Sequence, residues 1–500
     1  MELLSRLLAF PPETTATSSK ISDIDYDKDI RTLYSDLKHI SVQKLVAGVS
    51  GHGSFLELLD PERQSLAYLF VLLSYCQASQ ETTKETFPAA LQPGGEIWSK
   101  SVQFLKVFDP IQVRYAGQEW LSLVETVAKS AEAASRPLQA LQPLKQAILR
   151  LDPSCSTFTS LHTTFVRLCL RSRSYLCALE ILNKDICHFP TSADKQFLKR
   201  SQMLPCQQHD SSVSFITTSS GLPGKINYRS YLEYFLYGAM IYMGLKKWEN
   251  AIHFLEVVIS APTAANSVSM IMVEAYKKWI LLSLLENGTP PSMPKTVTPQ
   301  VTRTYKSLAK PYDVLAEIFQ TGSLARLQAE ITAGETVWRN DNNMGLVSQV
   351  LIAFRRSSIL KLEKTFAALS IPDLASYLAP GDETTDIFVA GLITEGRLRG
   401  CLMQPSNPSE PTILRFTPSS ASSLGHSAEV KFQTYLTSQR NRLETLVRNV
   451  NGTDLKLELG REYVENLRKA SRRSEADGRD GRPAAGGEFD MDEDMMGDLE

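Results

Sequence analysis

The stretch LSIPDLASYLAPGDETTDIFVAGLITEGRLRGCLMQ, residues 369–404, decides the fold. Ser370 stands before Ile371-Pro372. A serine N-cap with proline in the first turn starts a helix, because the serine oxygen takes an orphan backbone N–H and proline has none to lose. That short helix is expected to end near Ala379-Pro380-Gly381. The next, Glu383 to Glu395, carries Ile387, Val389, Leu392 and Ile393 and stops at Gly396. Two strands should follow, Leu398 to Met403 and Thr412 to Phe416, with Gln404-Pro405-Ser406-Asn407-Pro408 as a turn-rich wing between them. Helical text also precedes the stretch, from about Met344 to Arg356 and from Ile359 to Ala367. Helix, helix, short helix, helix, strand, wing, strand is the order of a winged helix.

Upstream, from Asp29 to about Ala333, apolar residues recur at helical spacing between clusters such as Gln92-Pro93-Gly94-Gly95 and Ser219-Ser220-Gly221. Leu66, Leu69, Phe70 and Leu73 form an i, i+3, i+4, i+7 face, and Leu161, Phe165, Leu168 and Cys169 continue the pattern. From Tyr228 to Ile259 an aromatic helix, capped at Gly244, is followed by a second beginning near Trp248. One such pair cannot bury its own apolar face, so helices at 267–286 and 303–320 should stack on it as a solenoid.

Downstream, Leu436, Leu443, Val450 and Leu457 repeat every seven residues, with Phe432, Leu446 and Val447 in an adjacent stripe. The helix that carries them follows a flexible link, Thr417 to Gly425, and should break or kink at Asn451-Gly452. Its seam either folds back on the chain's own winged helix or joins a bundle with helices of other chains. Beyond Ala470 the text becomes Ser, Arg, Gly and Asp and closes on Phe489-Asp490-Met491-Asp492-Glu493-Asp494-Met495-Met496, the acidic-hydrophobic alternation of a disordered tail, whether solvated or docking.

Composition removes several function classes. With a net charge of −2 over 500 residues, nothing draws the chain to phosphate backbones or to an anionic membrane surface. Met1 to Phe10 is apolar, yet Glu2 and Arg6 interrupt it and Pro11-Pro12 end it, so it reads as a docking helix rather than a signal peptide. The run from Ser65 to Cys76 is about half of what spanning a bilayer requires.

The seven cysteines include no C-x-x-C pair and read as reduced, buried, structural residues of the cytosol or nucleus. The seven histidines include no H-x-H or H-E-x-x-H pair, so no zinc site can be assembled. In Gly51-His52-Gly53-Ser54-Phe55 the serine is out of register for a nucleophile elbow, and no phosphate loop is present. Catalytic, cofactor-binding and metal-binding residues are therefore all expected to be absent. A DNA-binding winged helix would need a basic last helix, whereas Asp382 to Glu395 carries four acidic residues and no Lys or Arg, and Arg397 and Arg399 come only afterwards. Arg355-Arg356 with Lys361 and Lys364 are either a basic docking patch or a solvated helix face.

Residues 369–375 through Leu378, and Leu392-Ile393-Thr394-Glu395-Gly396-Arg397-Leu398, resemble the PCI family of scaffold subunits, found in the proteasome lid, the COP9 signalosome and the largest translation initiation factor. Tyr237-Gly238-Ala239 through Ala251, Phe254 and Leu255 is similar to a tetratricopeptide pair. Within the family, the runs Tyr237 to Lys246 and Met272 to Leu281 resemble the signalosome branch. The helical text and the resemblance, which covers about 225–420 and is architectural before that, together imply a mainly α fold: N-terminal helical repeats over 1–215, a TPR-like part of the PCI region over 225–335, a winged helix over 340–417 and a C-terminal helix over 427–470, while the disordered, acidic-ended tail over 471–500 departs from the family.

It also implies a non-catalytic scaffold in nucleus and cytoplasm, within an assembly whose metalloprotease removes Nedd8 from cullins and so regulates cullin-RING ligases. Partners would be other signalosome subunits, with no nucleic acid and no membrane. PCI modules resemble one another in associating through winged-helix sheets, which makes Thr412, Ile413, Leu414 and Phe416, taken as an edge strand, candidate interface residues beside Leu436, Leu443, Val450 and Leu457. The alternatives are a PCI scaffold of the proteasome lid or an initiation factor, or a nucleic-acid-binding winged helix.

Overall fold

The structure, a computed structural model, describes residues 7–8, 10–11, 22–47, 54–83, 87–191, 203–209, 211–263, 267–378, 384–404, 411–417, 426–458 and 464–469. Most of the docking helix at Met1 to Phe10, the Gly51-His52-Gly53 loop, the wing after Gln404, nearly all of the link before His426 and the tail beyond Ala470 lie outside them. The described chain is mainly helical and divides into two compact units. One holds the residues up to Tyr237 with those from Leu443 onward, and the other holds Gly238–Arg442.

The first unit runs through α1 (Asp23–His39), α2 (Val42–Val46), α3 (Phe55–Leu58), α4 (Ser65–Thr83), α5 (Glu96–Val107), α6 (Pro110–Val113), α7 (Gly117–Ala133), α8 (Leu138–Leu151), α9 (Ser160–Arg171) and α10 (Tyr175–Leu182). The one-sided face expected on α4 understates its position. Leu66, Ala67, Tyr68, Leu69, Val71 and Leu72 are all buried, so this helix is covered all round and lies at the centre of the unit. Its buried start is satisfied from a distance: Gln112 Oε1 accepts from Leu66 N–H at 3.1 Å while Gln112 Nε2 donates to Arg63 O at 2.7 Å. A relay of rings then joins three helices, Tyr68 to Phe104 at 5.6 Å, Phe104 to Phe108 at 5.8 Å and Phe108 to Trp120 at 5.8 Å.

Helix α11 (Tyr228–Gly244) passes from the first unit into the second and is followed by α12 (Trp248–Ile259). Gly244 is the last helical residue rather than the cap. The reversal falls on Lys246, at φ 55°, which lets Lys247 N–H reach Tyr242 O at 2.9 Å and satisfy a last-turn carbonyl. Helix α13 (Met270–Asn287) follows, then α14 (Pro299–Leu308) and α15 (Lys310–Thr321), where a single helix over 303–320 was expected. Pro311 stands in the first turn of α15. Without an N–H, and with a ring that disfavours helical backbone before it, it separates the two.

After α16 (Leu324–Ala333) and α17 (Glu335–Asn340), the text read as two helices is one, α18 (Met344–Glu363). Ser357-Ser358 does not break it, because Ser358 Oγ donates to Phe354 O in its own helix at 2.9 Å. A strand that the sequence reading lacked, β1 (Ala368–Ser370), precedes α19 (Ile371–Tyr377), α20 (Thr385–Thr394), β2 (Gly400–Met403) and β3 (Ile413–Phe416). The antiparallel sheet has the order β1-β3-β2. The N-cap expected at Ser370 is present, its Oγ accepting from Asp373 N–H at 3.2 Å. The winged-helix core gathers Ile359, Leu374, Val389, Leu398, Leu414 and Phe416.

Helix α21 (His426–Glu458) runs unbroken through Asn451-Gly452. One interior glycine costs about 1 kcal/mol, and a cooperative ladder that continues on both sides outweighs it.

Candidate assembly surfaces

The sheet corrects the expected edge. Strand β3 is central, with Ile413 in register with Ser370 on one side and Met403 on the other, so its backbone groups are already engaged within the domain. The error has a physical source: alternation along Ile413-Leu414-Arg415-Phe416 reveals which face is buried but not which strands lie alongside. Leu414 at 0% and Phe416 at 6% exposure are core residues. Thr412 is half-buried and its carbonyl accepts from Ile371 N–H at 2.9 Å. Of these four candidates only Ile413 presents its side chain outward, 40% exposed and beside Met403 at 48%. Edges fall to β1 and β2, and β2 carries exposed Cys401 and Met403.

The basic run is neither a patch nor wholly a solvated face. Arg355 lies 4.4 Å over the Phe388 ring. Arg356 Nη2 donates to Leu285 O, and to Glu286 O at 3.2 Å, closing the C-terminal end of α13, and burial lowers its pKa from the usual arginine value. Arg397 pairs with Glu286 at 3.3 Å. Lys361 and Lys364 are exposed, and α20 carries Asp386 with no basic residue.

Along α21 the heptad residues share one property. Leu436, Leu443, Val450 and Leu457 are 48% to 60% exposed, and Phe432, Leu446 and Val447 fall in the same range. The stripe from Phe432 to Leu457 is about 37 Å long at the rise of an α-helix. Outside the seam, Asn449 Nδ2 donates to Cys187 Sγ of the first unit at 2.9 Å. Both edges of the sheet and the whole described seam thus offer surface that can pair or pack.

Among the described residues no group of three or more His, Cys, Asp or Glu is placed to hold a metal ion. All seven cysteines are free. Cys76, Cys155 and Cys169 are buried as expected, and burial pushes the Cys76 thiol up to about 12. Cys177, Cys187 and Cys206 are half-buried and Cys401 is exposed, so the expectation of seven buried cysteines holds for three.

The run Met272 to Leu281 on α13 is a packing centre. Tyr276 Oη donates to Asp313 at 2.9 Å and stacks on Tyr305 at 4.9 Å. Lys277 pairs with Asp341 at 2.8 Å. Lys278, only 6% exposed, reaches Glu274 and, at 2.7 Å, Asn343 Oδ1. Asn343 in turn donates to Tyr312 Oη, which donates to Asp341, each at 2.8 Å. Sequence reasoning picked out this run but not its partners, which lie as much as 65 residues downstream.

Comparison with known proteins bears directly on this architecture. The family described as "COP9 signalosome complex subunit 3, N-terminal helical repeats" matches residues 27–301. COP9 signalosome complex subunit 3 of Emericella nidulans is 41% identical over 497 residues, 98% of both chains. The protein of the same name from Neurospora crassa is 26% identical over 462 residues, 89% of both chains.

Proposed function

This chain belongs to the COP9 signalosome subunit 3 family, and from that premise we propose that it works as a scaffold subunit of the COP9 signalosome. The relationship over nearly the whole chain favours this over a proteasome-lid subunit, an initiation factor or a DNA-binding winged helix. The observation that carries the scaffold reading is the exposed seam of α21, a stripe of large apolar side chains that a soluble assembly buries against partner helices. The N-terminal repeats, the winged helix and the C-terminal helix are the modules of this work, and the tail stays unassigned.

In this reading the chain supports removal of Nedd8 from cullins, in nucleus and cytoplasm, without performing the chemistry, which belongs to a metalloprotease subunit elsewhere in the assembly. Cullin-RING ligases are reached indirectly. Two surfaces serve assembly: the seam by helix packing, and the β2 edge by strand addition, with Ile413 and Met403 on the outer face beside it. Affinity purification of the chain from its native cell tests the proposal. Co-purification of a metalloprotease subunit and cullins supports it, and co-purification of proteasome base subunits overturns it.

A further inference from the structure

Trp120 on α7, Asp152 at the C-terminal end of α8 and His162 in the first turn of α9 are 0%, 3% and 1% exposed. They line one cavity of about 10 Å³ in the first unit, walled also by Ile148, Leu161 and Leu222. One polar atom of each, Trp120 Nε1, Asp152 Oδ2 and His162 Nε2, is buried with no hydrogen-bond partner in the protein. Buried polar groups are nearly always paired, so three orphans around one cavity specify what belongs there.

Their roles follow from local contacts. An indole N–H only donates. His162 Nδ1 accepts from Thr159 N–H at 3.2 Å, which places the ring proton on Nε2 and makes it a second donor. Burial holds the imidazole pKa down at about 4, so the ring is neutral at physiological pH. Asp152 Oδ1 accepts from Ser154 N–H at 3.0 Å and from its hydroxyl at 2.5 Å, which leaves Oδ2 as the free acceptor.

We propose that this cavity is a binding site for a single water molecule that accepts from Trp120 Nε1–H and His162 Nε2–H and donates to Asp152 Oδ2. A metal cation would meet two N–H donors and an anion would meet the carboxylate. Only a small molecule that both donates and accepts satisfies all three atoms, and the volume is that of one water. The water ties α7, the end of α8 and the start of α9 together, and so belongs to the fold of the N-terminal repeats.

The test is a water–amide NOE experiment on the full chain labelled with ¹⁵N at its five tryptophans, with the Trp120 indole signal assigned by its loss in Trp120→Phe. The expected result is an indole N–H that is protected from exchange yet shows a cross-peak to a long-lived water. A protected Trp120 indole with no water cross-peak would overturn the proposal. Should Trp120→Phe fail to fold, a crystal structure that shows ordered waters decides. Density within hydrogen-bond reach of all three atoms supports the site, and a dry cavity, or a direct bond between His162 and Asp152, removes it.

Discussion

Replacing Leu443 by aspartate separates the two roles the seam could have. Leu443 is 60% exposed, so little of the 1.5–3 kcal/mol available from burying a leucine fully is realised in the isolated chain. The remaining cost is the weaker helix propensity of aspartate, a few tenths of a kcal/mol, and the pure variant should lie within about 0.5 kcal/mol of the parent. In a bundle the same change forfeits about 2 kcal/mol of apolar burial and adds the desolvation of a carboxylate without a partner. Two kcal/mol alone is roughly a 30-fold loss of affinity. The assay pairs thermal unfolding of the purified variant with co-purification of its neighbours. Unchanged unfolding with lost co-purification is the expected result. A strongly destabilised chain that still assembles normally when folded would show that the seam is an internal core element, and the bundle reading would be dropped.

Ile413→Pro, placed in the central strand, should destabilise the chain's own sheet by about 1–3 kcal/mol through a lost ladder hydrogen bond, read as a lower unfolding temperature; an unaffected fold would contradict the β1-β3-β2 order. Gly117→Ala drives a methyl into the backbone carbonyl of Ser220 and should cost about 1–3 kcal/mol by denaturant titration, since a backbone carbonyl cannot move aside cheaply. His162 has its folded pKa depressed by burial to about 4, so its contribution is fully present above the unfolded value of 6.5 and is lost as pH falls toward 4. The loss is roughly 3 kcal/mol at about 1.4 per unit, and the difference in stability between the parent and His162→Asn should change by that amount across the interval.

Local grammar carried much of the architecture. Ser370-Ile371-Pro372 fixed the start of α19 because a cap and a proline act within one turn. The helical period placed α11, α12 and α13 for the same reason. Lateral order in a sheet is a different kind of information. β1 spans three residues, shares Ser370 with the cap that follows, and is stabilised by pairing with β3 more than forty residues on, so no window of sequence displays it. Its absence from the sequence reading turned a central strand into an apparent edge. The exposed seam was legible because its period depends on no other part of the chain. The buried polar groups were not: Gln112, Lys278 and Asn343 look like surface residues until their partners are known.

The network around α13 places a demand on the sequence that helical packing alone does not. Solenoid packing by itself asks only for apolar residues of suitable size, which many sequences supply. Lys278 asks for more. Its ammonium is buried, so it requires Glu274 one turn away and Asn343 beyond the end of α17, while Asn343 and Asp341 both bind Tyr312. A buried charge that loses a partner costs several kcal/mol, so these positions constrain one another across the span from α13 to the start of α18, whereas the leucines around them can exchange for residues of similar volume. The polar centre thereby fixes how the last repeats meet the helix that leads into the winged helix, and with it where the β2 edge and its outer face are presented.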